Sequence, residues 1–232
     1  MARTLNPLVS PLSFFYDATA QSTYHAGTVS LLKRFSRFYS VTANYTWSHT
    51  IDDGGDPSLN GTPEDPYRRL LEKANSKQDI PQRFVATFAT DAPDHGWFRN
   101  FRLAMIGSAQ SGGYYTLFAG TDVNHDGNAN TDRVATTGRN TFRGGRLVNL
   151  DLRLARRFRF NDKLSAEAIA EAFNICNSLN VTDINSVYGG PNFIGAVPQR
   201  FGDGAPAPLP SFGSIRATSP PRQLQLAFRL QF

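Results

Sequence analysis

Arg222-Gln223-Leu224-Gln225-Leu226-Ala227-Phe228-Arg229-Leu230-Gln231-Phe232 decides how the rest of the chain is read. Leu224, Leu226, Phe228, Leu230 and Phe232 alternate strictly with Gln223, Gln225, Ala227, Arg229 and Gln231. A period of two sets the large apolar side chains on one face of a strand and the polar ones on the other. A soluble sandwich strand can show this pattern, but it seldom closes a chain on its most apolar position. A transmembrane β-barrel strand has an apolar row facing lipid and a wet row behind it.

The same period recurs upstream. Tyr39, Val41, Ala43, Tyr45 and Trp47 alternate with Ser40, Thr42, Asn44, Thr46 and Ser48; Val148, Leu150, Leu152 and Leu154 alternate with Asn149, Asp151 and Arg153. Seven strands are predicted: about 24–35, 38–50, 82–90, 101–118, 146–160, 164–174 and the terminal one. The fourth contains Gly107, Gly112 and Gly113, so a bend or bulge is expected there. In the sixth, Glu167-Ala168-Ile169-Ala170-Glu171-Ala172 has good helix propensity. The tight Asn161-Asp162-Lys163 turn before it, and alternation of Ala166, Ala168, Ala170 and Ala172 with the glutamates, favour a strand. Short connections, including Pro93-Asp94-His95-Gly96 after the third strand, alternate without exception with long ones of about 51–81, 119–145 and 175–221. Outer-membrane barrels have this asymmetry, with tight periplasmic turns and long external loops.

The chain has 232 residues, with 19 Gly, 18 Phe, 8 Tyr and a single cysteine. It contains no apolar run long enough for a transmembrane helix. Cys176 cannot form an internal disulfide and is expected to be a small buried or lipid-facing hydrophobe. The net charge of +5 raises nucleic acid as a partner. Yet Lys33, Arg34, Arg37, Arg99, Arg102, Arg153, Arg156, Arg157 and Arg159 mostly flank predicted turns, where they would meet headgroups or water, and no nucleic-acid-binding motif accompanies them. No nucleic acid is expected.

The first residues lack the apolar core of a secretory signal. With the terminal strand arriving from a long external loop, counting back starts the first strand outside as well. A closed bacterial barrel generally has an even strand number and both ends in the periplasm. The expectation is therefore a barrel segment, with residues 1–23 an N-terminal loop or truncation region and 24–232 the C-terminal portion of a barrel. An eighth strand at Leu12 to Tyr16 would instead make a complete small barrel of adhesin or structural role. A soluble extracellular β-sandwich binding module is the remaining alternative.

Five strings carry a resemblance. They are Tyr45-Thr46-Trp47-Ser48-His49-Thr50-Ile51-Asp52-Asp53; Asp79-Ile80-Pro81-Gln82-Arg83-Phe84; Ala109-Gln110-Ser111-Gly112; an Asp/Asn loop ending Asp132-Arg133; and Glu171-Ala172-Phe173-Asn174 with Asn177. In this order they resemble the β-barrel of TonB-dependent receptors of the Oar-like type, large outer-membrane proteins often preceded by a carboxypeptidase-regulatory-like domain. Gln225, Ala227, Leu230 and Phe232 resemble the C-terminal assembly signal of outer-membrane proteins, with Ala227 where glycine is usual. The resemblance implies an all-β antiparallel barrel of about 22 strands around a plug, of which this chain holds about 7–8. At about 33 residues per strand, the whole barrel would need on the order of 700 residues. It further implies outer-membrane lipid, the missing N-terminal strands and plug, TonB and the barrel-assembly machinery as partners, and ligand import by the parent.

One loop could carry chemistry. Asp122, Asn124, Asp126 and Gly127, with Asn128, Asn130 and Asp132, match the first half of an oxygen-ligand calcium loop. Arg133 stands where a bidentate Glu is expected, and no helix flanks the loop. The string reads either as a polar external loop of turn formers or as a calcium site of Asp122, Asn124, Asp126 and Asp132. His25, His49, His95 and His125 share no ligand spacing, and Asp52, Asp53 and Asp56 read as solvated loop acids. No nucleophile motif, phosphate loop or zinc pattern is present, so neither an enzyme nor another cofactor is expected.

Overall fold

The computed structural model describes residues 18–36, 38–54, 63–65, 67–92, 99–134, 137–189 and 207–232. Its strands are β1 (Ser22–Ser36), β2 (Tyr39–Asp52), β3 (Ala74–Asn75), β4 (Gln82–Asp91), β5 (Phe101–Gln110), β6 (Tyr114–Tyr115), β7 (Phe142–Arg143), β8 (Leu147–Arg159), β9 (Ser165–Phe173), β10 (Val181–Ile184), β11 (Ile215–Thr218) and β12 (Gln223–Gln231). One antiparallel sheet runs in the order β1-β2-β4-β5-β8-β9-β12, with β3 extending the pairing of β2. β6 with β7 and β10 with β11 form two small ribbons.

Register makes this sheet two-faced from edge to edge. Leu226 lies opposite Ala170, Ala170 opposite Leu154, Leu154 opposite Leu103, Leu103 opposite Thr90 and Thr90 opposite Tyr39. Side chains paired across a ladder share a face. One face thus carries Leu31, Tyr45, Phe88, Met105, Leu152, Ala168 and Phe228; the other carries Ser30, Asn44, Thr87, Ser108, Asp151, Glu171 and Gln225. The strands of this wall are 9 to 15 residues long. About 9–11 residues suffice for a tilted strand to cross the hydrocarbon.

On the polar face charged side chains find polar or oppositely charged partners. Arg153 donates to Glu171 (3.1 Å), Arg229 sits 3.7 Å from Glu167, Arg157 donates to Gln231 (2.9 Å) and Arg102 contacts Asp91 at 2.9 Å. Arg153 therefore stands within a strand and not at a turn. Arg156 does lie near the turn end, over the rings of Phe101 and Phe158. The apolar face has no covering layer among the described residues: Leu226 is 85% exposed, Leu224 77% and Val29 72%.

The structure departs from the sequence expectation at three places. The fourth strand ends at Gln110 and does not reach Phe118, and Gly107 sits in unbroken register with Ala86 and Leu150. There is no bulge at Gly107; the chain leaves the sheet at 111–113 and Tyr114–Tyr115 pairs instead with Phe142–Arg143. Phe38 is not in β2: its φ of 83° is left-handed, and its carbonyl accepts from the Asp91 amide and the Thr90 hydroxyl. The irregularity in this hairpin falls between Lys33 and Ser36, where Lys33 Nζ donates to Ser36 and Tyr39. Cys176 is exposed in the turn after β9, neither buried nor on a lipid-facing strand.

β1 pairs with β2 and β12 with β9, but β1 and β12 do not pair with each other. Both run from the long-connection end to the short-turn end, as an odd number of alternating strands requires. The stretch Leu12 to Tyr16, and the turn through Pro93, Asp94, His95 and Gly96, lie outside the described residues.

Candidate functional site

All three long connections leave the sheet at one end and pack on one another there. Phe118 bridges to Arg133 on one side and Val187 on the other. Around it Leu117, Val134 and Tyr188 are buried, with Phe142 and Phe212 against them. Tyr188 meets Phe212 at 5.4 Å between ring centroids, and Tyr115 stacks on Phe142 at 5.7 Å. The second and third long connections thus share a small core beyond the wall.

Ionic contacts tie the first long connection to this core. Arg133, 5% exposed, donates to Glu64 (2.6 Å) and to Glu72 (2.6 Å), which is 3% exposed on the 3-10 turn Arg69–Glu72. Arg139 donates to the Glu72 carbonyl (2.7 Å) and to Asp52. Asn140 donates to Asn75 O (2.8 Å) and exchanges hydrogen bonds with Thr116. Arg133, which spoils the calcium-loop pattern at its twelfth position, is thus the cation of a buried pair.

The strings behind the family resemblance meet at this end. Asp79, fully buried, accepts from the Thr50 amide (2.9 Å) and contacts His49 Nδ1 (3.0 Å). Ser48 donates to Ile80 O, and its amide donates to Pro81 O. Two strings some thirty residues apart are one clamp at the mouth of the β2–β4 ladder. Asn174, buried and left-handed at φ 48°, accepts from the Ser178 amide and donates to Ser178 O and Pro220 O. Asn177 accepts from the Arg222 amide (3.1 Å), so the Asn174 string anchors the entry to β12. Gly112 passes so close to Gly144 and Gly145 that a Cβ there would stand 2.3 Å from either carbonyl oxygen.

Other residues fall as follows. His25 and His49 face each other across β1 and β2, a pairing hidden in linear spacing, and line a cavity of about 900 Å³ with Tyr67, Arg69 and Lys73. Asp53 accepts from the Gln21 amide (2.6 Å), and Asp52 is paired with Arg139. Asp56 and His95 lie outside the described residues. Of the assembly-signal residues, Gln225 and Ala227 stand on the polar row and Leu230 on the apolar row, while Phe232 is exposed beyond the strand.

In the Asp/Asn loop, Asp122 accepts from the Asp126 amide (3.1 Å) and the Gly127 amide (3.0 Å). Asn124 Oδ1 accepts from the Asp126 amide (2.9 Å), and Asp126 accepts from the Asn128 amide (2.8 Å). Gly127 takes the left-handed φ of 93° that the sharp turn demands. Asp132 is fully buried; Oδ2 accepts from the Asn124 amide (3.0 Å) and from the Val123 amide, while Oδ1 has no partner. An unsatisfied buried acceptor costs about 1–3 kcal/mol. Burial, opposed by the two amides and reinforced by Asp126 and Asp122, raises the Asp132 pKa. Among the described residues no three His, Cys, Asp or Glu side chains form a ready-made metal cluster.

The outer membrane beta barrel domain family matches residues 13–137 and 129–225. The chain belongs to that family, and its place is the outer membrane. No curated protein and no solved structure matches it. The two-faced wall is therefore barrel wall: its apolar face meets lipid, its polar face meets the barrel interior, and the long connections are external.

Proposed function

We propose that this chain is the C-terminal portion of the barrel of a TonB-dependent receptor of the Oar-like type, which binds a ligand outside the cell and imports it. The observation that carries this reading is the open sheet, whose first and last strands run in the same direction. Closing an all-antiparallel barrel between them takes an odd number of further strands. An edge left open in hydrocarbon would strand backbone N–H and C=O groups at several kcal/mol each. The resemblance strings support the family, since each now has a structural duty at the external end. The packed loops form a floor on which the parent's ligand would rest, with specificity set by the remaining loops and plug. TonB and the assembly machinery act through the complete protein, and no catalysis is assigned.

Paired cysteines placed at Thr28 on β1 and Ala227 on β12, both on the polar face, with Cys176 replaced by serine, test the reading in outer-membrane vesicles. No crosslink between them, together with capture of the TonB periplasmic domain by the protein carrying its native upstream sequence, is the expected result. A disulfide between the two positions in a monomer of this chain alone would overturn the larger barrel.

A further inference from the structure

We propose that the external loop Asp122 to Asp132 binds one calcium ion, with Asp132 Oδ1 as anchoring ligand and Asp122, Asn124 and Asp126 as the other side-chain ligands. This does not rest on the transporter reading. Its starting point is the buried Asp132 carboxylate, one oxygen of which is held by two amides while the other has no partner. The nearest cation in sequence, Arg133, is committed to Glu64 and Glu72. Asp122 and Asp126 lie close enough to add their negative field to Asp132. A proton could neutralise Asp132, but it would turn the orphan acceptor into an orphan donor. A hard cation satisfies the oxygen and the surrounding charge together.

Donor chemistry selects the ion. The oxygens are carboxylate and amide, with neither thiolate nor imidazole in the proposed set, which favours a hard cation over zinc or copper. The three carboxylates do not cluster by themselves, so the set is mixed and is completed by main-chain oxygen or water. Calcium accepts such sets of about 6–8 oxygens in flexible geometry, whereas magnesium demands near-ideal octahedra. The side chains fall at positions one, three and five of the loop, and the left-handed glycine at position six. Asp132, one residue before the usual acidic position, frees Arg133 for the buried pair with Glu72. Asn124 also donates to Glu64 O (3.0 Å), and Ala119 donates to Asp132 O (2.8 Å). Occupancy would therefore stiffen the first and second long connections together.

Equilibrium binding of radioactive calcium to the full chain, refolded in detergent free of lipopolysaccharide, tests this. One saturable site per chain is expected, poorly competed by magnesium, with affinity at least tenfold weaker in Asp126→Asn and lost in Asp132→Asn. Asp126 is exposed, so its variant keeps the test valid should Asp132→Asn misfold. Absence of saturable binding at millimolar calcium, or equal binding by the wild type and Asp126→Asn, would overturn the proposal.

Discussion

The wall and the loop body are held together by different solvents. In the wall, Leu224, Leu226 and Val29 stand bare, and register rather than a core unites the strands. Its apolar face finds its environment in lipid tails. The loop body lies beyond the hydrocarbon and buries its own apolar side chains, Leu117, Val134 and Tyr188, beside the ions Arg133 and Glu72. A barrel rim must supply internally the dry interior that the membrane supplies to the strands below.

The two regions separate most clearly at Arg133. Arg133→Ala breaks the buried pair with Glu72, 3% exposed, and leaves it only Arg139 at 3.8 Å as a cation, at an expected cost of about 3 kcal/mol, the lower end for a broken buried pair. Hydrogen exchange on the protein in detergent should show protection lost across 117–134 and 64–75 while β8 and β9 keep theirs. Loss spread evenly over the sheet would merge the two regions into one unit. The wall is tested at Leu226→Arg, which should cost about 2–4 kcal/mol in lipid-refolding titrations if Leu226 sits near the midplane, whereas Gln225→Arg costs much less. Equal costs would show that the faces are not lipid and interior.

A smaller effect separates two glycines. Gly112→Ala drives a Cβ to 2.3 Å from two carbonyl oxygens and should cost about 1–3 kcal/mol, seen as exchange at 111–115 and 142–147. Gly107→Ala on the wall meets only Leu150 Cδ1 at 3.7 Å and should shift the denaturant midpoint little.

The smallest effect is in pH. Asp132 has a raised folded pKa, so the native state holds its proton more tightly than the unfolded chain. Linkage then makes stability fall as pH rises from the ordinary carboxylate range through the raised value, and level off above it. Asp132→Asn should remove that part of the pH dependence in chelator and be the more stable form at neutral pH. An unchanged pH profile in the variant would remove Asp132 from the account.

What the sequence made legible follows the same division. The two-residue period is visible in β2, β8, β9 and β12, where each strand's neighbours only reinforce what the alternation already says, and turn residues mark off the other three wall strands. Even Glu167–Ala172 obeys it: helix propensity yields to two ladders that seat Ala168 between Arg156 and Phe228. The loop body has no period. Arg133 and Glu72 are 61 residues apart, and the β10–β11 ribbon joins Val181–Ile184 to Ile215–Thr218 with two register shifts. The predicted fourth strand overruns the observed one because Gly112 and Gly113 look like a bulge in a continuing strand, while the contact that requires Gly112 lies at Gly144 and Gly145. At the Asp/Asn loop the residues were legible, but the burial of Asp132 and its orphan oxygen were not.

The most direct test of the two-faced wall is a nitroxide scan of residues 223–231 in a Cys176→Ser background, in outer-membrane vesicles. Collision rates with oxygen and with a water-soluble nickel chelate would be measured at each position. Oxygen access should peak at 224, 226, 228 and 230, and access to the chelate at 225, 227 and 229, with a period of two. Uniform access along the strand, or the inverted pattern, would contradict a wall with lipid on one side and the barrel interior on the other.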